Sequence, residues 1–278
     1  MNKLKVGIIG NGYVGKAISF AFSSFSELSI FDINPLKSKN DLDSTHACDF
    51  VFVCVPTPML RNGSQDLSFV DSVFRKATNK PIYILKSTVL PGTTESLINS
   101  YENIKIVFSP EFLTEKNSKN DIINPSRIIL GGQNNLIKQV KKLFELRFDS
   151  EKIILTDSKT AELIKYMNNT FLATKVSIMN EFKLLCDNIE ANWEDALKGF
   201  ASDVRIGDSH LNVPGHDGKL GYGGTCFPKD VNALLSFSKK YDIELNTISG
   251  GWETNLKVRH EKDWEEKYGR SVSFKKTK

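Results

Sequence analysis

The stretch Leu4-Lys-Val-Gly-Ile-Ile-Gly10-Asn-Gly12-Tyr13-Val14-Gly15 limits the fold of this chain more than any other. A short apolar β-run leads directly into G-x-G-x-x-G, and the polarity of a helix follows. The spacing predicts a strand, a tight turn and a helix. Gly10 makes the turn, Gly12 leaves room for a pyrophosphate against the helix N-terminus, and Gly15 lets helix and strand pack closely. A second apolar run, Leu28-Ser-Ile-Phe31, ends in Asp32, at about the twenty-residue distance where an acid accepts hydrogen bonds from the ribose hydroxyls of adenosine. Ile33 and Asn34 follow without an arginine, so a 2′-phosphate would meet only negative charge. The pattern reads as an NAD site.

Strand-like runs at Phe50–Val55, Ile82–Leu85, Ile104–Phe108, Arg127–Leu130 and Lys152–Leu155 alternate with amphipathic stretches, the rhythm of a parallel sheet. From about Asp157 the pattern becomes helical. Leu163, Met167, Phe171, Thr174 and Ile178 recur at three- and four-residue spacing, with Ala161, Ala173 and Val176 filling the face, and the regularity predicts one long helix. Another helix runs from Asn192 to about Ala201. The expected fold class is α/β: an N-terminal Rossmann parallel sheet (1–156), an all-helical dimerisation domain (157–268), and a tail (269–278). The Lys and Glu mixture from His260 onward reads as a solvated helix end followed by fraying residues.

Composition narrows the function classes. The 278 residues are 40% hydrophobic and 25% charged, ordinary for a soluble globular protein of one large or two modest domains. A net charge of +4 suits an anionic ligand, and without a basic stripe interleaved with aromatics it gives no case for nucleic acid. Cys48, Cys54, Cys186 and Cys226 form no C-x-x-C pair. With no secretory leader or membrane-length apolar run read in the sequence, a reduced, cytoplasmic setting without a membrane partner is expected. His46, His210, His216 and His260 share no metal-ligand spacing, so no metal is expected.

The chemistry-bearing candidates lie in two halves. Near the C-terminal end stands Gly221-Tyr222-Gly223-Gly224-Thr-Cys226-Phe-Pro-Lys229-Asp230. Glycines let a backbone approach a ligand closely, and a thiol near a helix start and a lysine is biased toward thiolate. A cysteine capping an ordinary buried turn would account for the thiol equally well. On the long helix Lys165 and Asn169 are four residues apart and project from one side, an ammonium and an amide able to hold one oxygen between them. Solvated helix polarity is the plainer explanation. Among the loops, Pro56-Thr57-Pro58, Ser87-Thr88-Val-Leu-Pro91-Gly92 and Ser109-Pro-Glu111-Phe112-Leu113-Thr-Glu115 stand out, at strand ends where an open α/β sheet binds its ligand.

Taken in order, these residues resemble the nucleotide-sugar dehydrogenase family, from Lys3 to about Arg259. The resemblance is carried by Gly10-Asn-Gly-Tyr-Val-Gly15, Val55-Pro-Thr-Pro58, Lys86-Ser-Thr-Val89, Ser109-Pro-Glu-Phe-Leu113, Ala161-Glu-Leu-Ile-Lys-Tyr-Met-Asn-Asn-Thr-Phe-Leu172, Arg205-Ile-Gly207 and Gly223-Gly-Thr-Cys-Phe-Pro-Lys-Asp230. It implies a four-electron oxidation of a sugar C6 alcohol to a carboxylate with two NAD+ in turn, UDP-glucose to UDP-glucuronate, supplying uronic acid for polysaccharide. Cys226 would carry a thiohemiacetal and then a thioester. Lys165 and Asn169 would stabilise oxyanions. Asp230 and Thr88 would position the water beside the first base, and Glu111 would serve hydrolysis. Gly10, Gly12, Tyr13, Val14, Gly15, Asp32, Lys37, Thr57, Thr88, Glu115 and Lys229 match cofactor-contacting positions. Glu111, Phe112, Leu113, Lys165, Asn169, Tyr222 and Gly223 match substrate contacts, and Arg205 matches an arginine that reaches into a neighbouring subunit, implying a homodimer.

The chain departs from that family in two respects. Relatives carry a second Rossmann-like domain for the substrate's nucleotide, which this chain is expected to lack, and Asn212–Lys219 reads as an insertion that covers the nucleotide or loops out on the surface. The alternatives are a non-catalytic NAD-binding or partner-binding fragment, or a sibling activity on GDP-mannose or UDP-N-acetylmannosamine.

Overall fold

The computed structural model describes residues 3–114 and 117–274. Two compact units result: residues up to Thr57 with Asp66–Lys165, and Pro58–Gln65 with the residues from Tyr166 on. The division expected after residue 156 lies instead inside a helix, between Lys165 and Tyr166, and the second unit recruits a segment from the N-terminal half.

The first unit runs β1 (Leu4–Ile9), α1 (Tyr13–Phe22), β2 (Ser26–Phe31), α2 (Leu42–His46), β3 (Phe50–Val53), α3 (Ser68–Phe74), β4 (Ile82–Leu85), α4 (Thr93–Ser100), β5 (Lys105–Phe108), α5 (Ser118–Ile123), β6 (Ile128–Gly131), α6 (Asn134–Glu145) and β7 (Ile153–Thr156). Its sheet has the order β2-β1-β3-β4-β5-β6-β7. Pairing is parallel except between β5 and β6, which meet antiparallel at Phe108 and Gly131. The sheet is mostly parallel, as expected, with that one antiparallel junction. A parallel return needs a long crossover, usually a helix laid along the sheet. The segment available holds Pro110, Pro125 and only the six-residue α5, which packs on α1.

Strand alternation distributes the core over both faces of this sheet. Val6, Ile8, Phe52, Ile84 and Val107 face one cluster with Phe22, Phe144 and Phe148. Val51, Val53, Tyr83, Leu85, Ile106 and Phe108 face another with Phe74. Burial on both faces is what near-continuous apolar strands require.

The second unit contains most of α7 (Ser158–Asn188), then α8 (Trp193–Ala201), α9 (Phe227–Ser238) and α10 (Asn246–Val258). Asn192 caps α8 through its side chain on the Asp195 N–H at 3.1 Å. The helical character expected of this unit holds, with isolated bridges from Met59 to Gln65 and to Val272. Two expectations change here. The described residues from 260 to 274 do not read as a fraying end: Trp264 and Val272 are buried with Met59, against Trp252, Leu256 and Phe274; the rest of the expected tail lies outside the described residues. A tryptophan and a valine that can cover Met59 outweigh the charge around them. Nor is the 212–219 insertion only a surface loop, since Val213 within it and Leu211 just before it are buried with Met179.

Candidate active site

Strand register builds one edge of the first unit. Ile9 pairs with Phe31 and Val53, Val53 with Leu85, and Leu85 with Phe108. Gly10, Asp32, Cys54, Lys86 and Ser109 are therefore the first residues beyond a common edge, the carboxyl end of the strands where open α/β sheets take ligands. Gly10 has φ +95°, and a Cβ there would lie 2.8 Å from the Cys54 carbonyl oxygen; one on Gly15 would lie 2.0 Å from the Gly10 oxygen. At Gly12, the N-cap of α1, a Cβ would meet nothing within 4 Å, leaving space at a helix N-terminus for a phosphate. The Asp32 carboxylate accepts from the Asn11 N–H at 2.7 Å and the Asn34 N–H at 2.8 Å, and Asn11 Nδ2 donates to the Lys37 carbonyl at 2.7 Å. Tyr13 opens α1 and Val14 packs on the core. A glycine loop with open space at the helix start and an acid fixed beside it fits NAD. Glu115 lies outside the described residues.

Deeper along the same edge is a buried polar cluster. Lys165 Nζ donates to the Glu111 carbonyl at 2.6 Å and to its carboxylate at 3.1 Å, while the Leu113 N–H donates to the other Glu111 carboxylate oxygen at 2.7 Å. Burial pushes the Glu111 carboxyl up, but Lys165, the Leu113 N–H and Lys86 outweigh it and hold it below the usual carboxylate range. Phe112 lies under the Arg127 guanidinium, 4.1 Å from its ring centroid. Lys86 donates to the Pro110 carbonyl at 2.9 Å and to Ser109 Oγ at 3.2 Å; burial brings its ammonium down to about 8. The Thr57 hydroxyl donates to the Thr88 carbonyl at 2.7 Å. Glu162, fully buried, accepts from the Gly92 and Thr94 N–H groups at 2.6 and 2.8 Å and so fastens the Thr88 loop to α7. Burial lifts its carboxyl to about 7, against those hydrogen bonds.

In the second unit Cys226 is the N-cap of α9, with Pro228 at its start. Lys229 Nζ pairs with one Asp230 oxygen at 2.5 Å, and Asn169 Nδ2 donates to the other at 2.6 Å. Lys165 and Asn169, expected to share an oxygen, are each engaged by a different carboxylate. Tyr222 is buried between Phe227 and Trp252. Arg205 projects outward, its side chain 86% exposed and paired with Asp203. Three side chains that the sequence reading passed over hold the turn before Cys226. Asn180 accepts from the Gly221 N–H at 3.0 Å, Asn255 from Tyr222 at 2.7 Å, and Asp263 from Gly224 at 2.9 Å. Their partners are backbone groups 33 to 41 residues away, so no spacing rule signals them. Among the described residues no group of three or more His, Cys, Asp or Glu could hold a metal, and no helix is long and apolar enough to cross a membrane.

A glycine loop at the edge of a mostly parallel sheet, with Asp32 beside it, defines a Rossmann NAD-binding domain. The chain belongs to the UDP-glucose/GDP-mannose dehydrogenase family: the family's NAD binding domain matches residues 31–147 and its central domain residues 159–257. It is 37% identical over 225 residues to a UDP-glucose 6-dehydrogenase of Rickettsia bellii, covering 77% of this chain and 50% of that protein. To a UDP-glucose 6-dehydrogenase of Rhizobium meliloti it is 31% identical over 292 residues, covering 88% and 66%. It shares its fold with a UDP-glucose dehydrogenase from Pyrobaculum islandicum, with a TM-score of 0.83 at 24% identity, over 92% of this chain and 68% of that one. The chain spans about half the length of the Rickettsia relatives it matches.

Proposed function

We propose that this chain oxidises UDP-glucose to UDP-glucuronate, with Cys226 holding the sugar's C6 carbon between two oxidations. The observation that carries the reading is the set Cys226, Lys229 and Asp230 at the start of α9, with Asp230 fixed by Asn169 from α7. Bound NAD+ supplies the hydride acceptor for each oxidation. Gly10, Gly12, Gly15 and Asp32 would hold its pyrophosphate and ribose, with Thr57, Thr88 and Lys229 as further contacts. As the alcohol loses its hydride, Asp230 takes up the hydroxyl proton through a water positioned with Thr88. The Cys226 thiol then adds to the aldehyde carbon to give a thiohemiacetal, and loss of a second hydride, with the thiohemiacetal hydroxyl proton passed to water, leaves a thioester. Glu111 draws a proton from the water that cleaves it, releasing carboxylate and thiol. Lys165 and Asn169 stabilise the oxyanions by preorganised charge and hydrogen bonding.

A homodimer and a cytoplasmic setting complete the proposal. Met167, Phe171, Ile178, Phe182 and Leu185 leave an apolar face of α7 exposed, suited to a second copy, and the exposed Arg205 would reach into that copy's site. The test counts NADH formed per sugar consumed with UDP-glucose, GDP-mannose and UDP-N-acetylmannosamine. Two NADH per UDP-glucose, lost in Cys226→Ser, are expected. NAD binding without NADH from any sugar would replace the proposal with a non-catalytic one, and turnover only of another sugar nucleotide would reassign the substrate.

A further inference from the structure

Asp263 lies in the segment whose charge reads as solvated tail, yet it is bonded to the turn that carries Cys226. One carboxylate oxygen accepts from the Gly224 N–H at 2.9 Å; the other accepts from Arg259 Nε at 3.0 Å and pairs with Arg259 Nη2 at 2.9 Å. Arg259, only 2% exposed, also pairs with Asp217 at 2.7 Å and donates to the Leu220 carbonyl at 3.3 Å. The arginine thus links the chain before the glycine turn, at Asp217 and Leu220, to the acid that grips the turn itself. Trp264, next in sequence to Asp263, anchors this acid by burying its ring against Trp252, 5.4 Å between centroids.

The glycines of the turn record the same contact. A Cβ on Gly223 would lie 2.1 Å from Asp263 Oδ1 and 2.5 Å from Arg259 Nη2, and one on Gly221 would lie 2.4 Å from Asn255 Oδ1. Only at Gly224 would it meet nothing within 4 Å. Two of the three glycines, read from sequence as room for a ligand, make room for the side chains that hold the turn.

We infer that Asp263, set by Arg259, is a positioning residue for the Cys226 thiol. The inference rests on the proposed role of Cys226 as nucleophile. A hydrogen bond from a backbone N–H to a carboxylate is among the stronger kinds, and it fixes the chain two residues before the thiol. Without it the turn can open locally while the rest of the unit stays folded.

The test compares the full chain with Asp263→Ala and Asp263→Asn by iodoacetamide alkylation, reading the rate at each cysteine by peptide mass spectrometry. Asp263→Ala is expected to raise the Cys226 rate on the order of ten-fold, with Cys48, Cys54 and Cys186 unchanged. Asp263→Asn, which keeps an oxygen for the Gly224 N–H, should return most of the way to wild type. In turnover with UDP-glucose, Asp263→Ala should lower kcat and leave KM for NAD+ unchanged. An unchanged Cys226 rate in Asp263→Ala, or a joint rise at all four cysteines, would overturn the inference. If the wild type oxidises no sugar nucleotide, the proposed function fails, while the alkylation rates still decide whether Asp263 positions the thiol.

Discussion

The two units hold their shape by different means. In the first, a sheet is covered on both faces by buried apolar clusters whose members include Phe22, Phe52, Phe144 and Phe148 on one side and Phe74, Tyr83 and Phe108 on the other. In the second, the apolar clusters are small, and α8 contributes no buried side chain. Its elements are tied instead by side chains to backbone, such as Ser177 to the Gly251 carbonyl at 2.6 Å and Asn255 to both the N–H and the carbonyl of Tyr222. Meanwhile Phe171 and Met167 stay 70% and 59% exposed. A closed apolar core is self-sufficient. The second unit places polar groups inside and leaves apolar groups outside, the face that the proposed second copy would cover.

The sharpest way to break this comparison is to damage the closed core. Phe52 is fully buried, with ring centroids 5.3 Å from Phe22 and 6.0 Å from Phe144. Phe52→Ala should cost the first unit about 3–5 kcal/mol. All three tryptophans, Trp193, Trp252 and Trp264, belong to the second unit, so their fluorescence reports it alone. The denaturant midpoint by far-ultraviolet circular dichroism should fall more than the midpoint by tryptophan fluorescence. Equal shifts in the two would mean that the units unfold as one, and the contrast drawn above would lose its energetic content.

A smaller effect tests the buried charge within that core. Lys86 is held at about 8 by burial, with Glu111 and Lys165 as its charged neighbours, against an unfolded value of about 10.4. Between those values the unfolded chain binds more protons than the native one, so stability rises with pH across the window. Lys86's contribution is complete above the unfolded value and lost as pH falls through about 8. The difference between wild type and Lys86→Met should therefore change by about 3 kcal/mol from pH 7 to pH 11, read from denaturation midpoints. A difference curve flat in pH would place Lys86 in water.

The same contrast explains what the residues disclosed in advance. Strand periodicity and G-x-G-x-x-G gave the sheet edge because short-range pattern fixes strand faces and turn geometry. Gly10, Gly15 and Asp32 stand as that pattern requires. The antiparallel β5 to β6 junction escaped because strand pattern carries no direction, and the length of α5 decides it. From α7 on the helices were legible from their period, but the face each buries was not. Leu163, Met167, Phe171 and Ile178 form a regular apolar stripe that points outward, 42% to 70% exposed, whereas the buried side of α7 carries Ala161, Tyr166, Asn169, Thr170, Ala173 and Asn180. Hydrophobic period locates a face without saying what covers it. Lys165 and Glu111, 54 residues apart, and Asp263 with Gly224 are joined only by tertiary folding, so nothing local in the sequence pairs them.

The least costly substitution bears most directly on the open side of the comparison. Phe171 lies on α7 at 70% exposure, so Phe171→Glu removes little buried area in a lone protomer and should change its unfolding free energy by no more than about 0.5 kcal/mol. At an interface between copies the same change would bury unpaired negative charge opposite its own symmetry mate, because a two-fold contact brings a patch against itself. Sedimentation should then give a dimer for the wild type and a monomer for Phe171→Glu, with circular dichroism unaltered. A variant that remains dimeric would move the interface off this stripe. A wild type already monomeric would leave α7's apolar stripe exposed, and the second unit would stand as a fold stabilised chiefly by its internal polar ties.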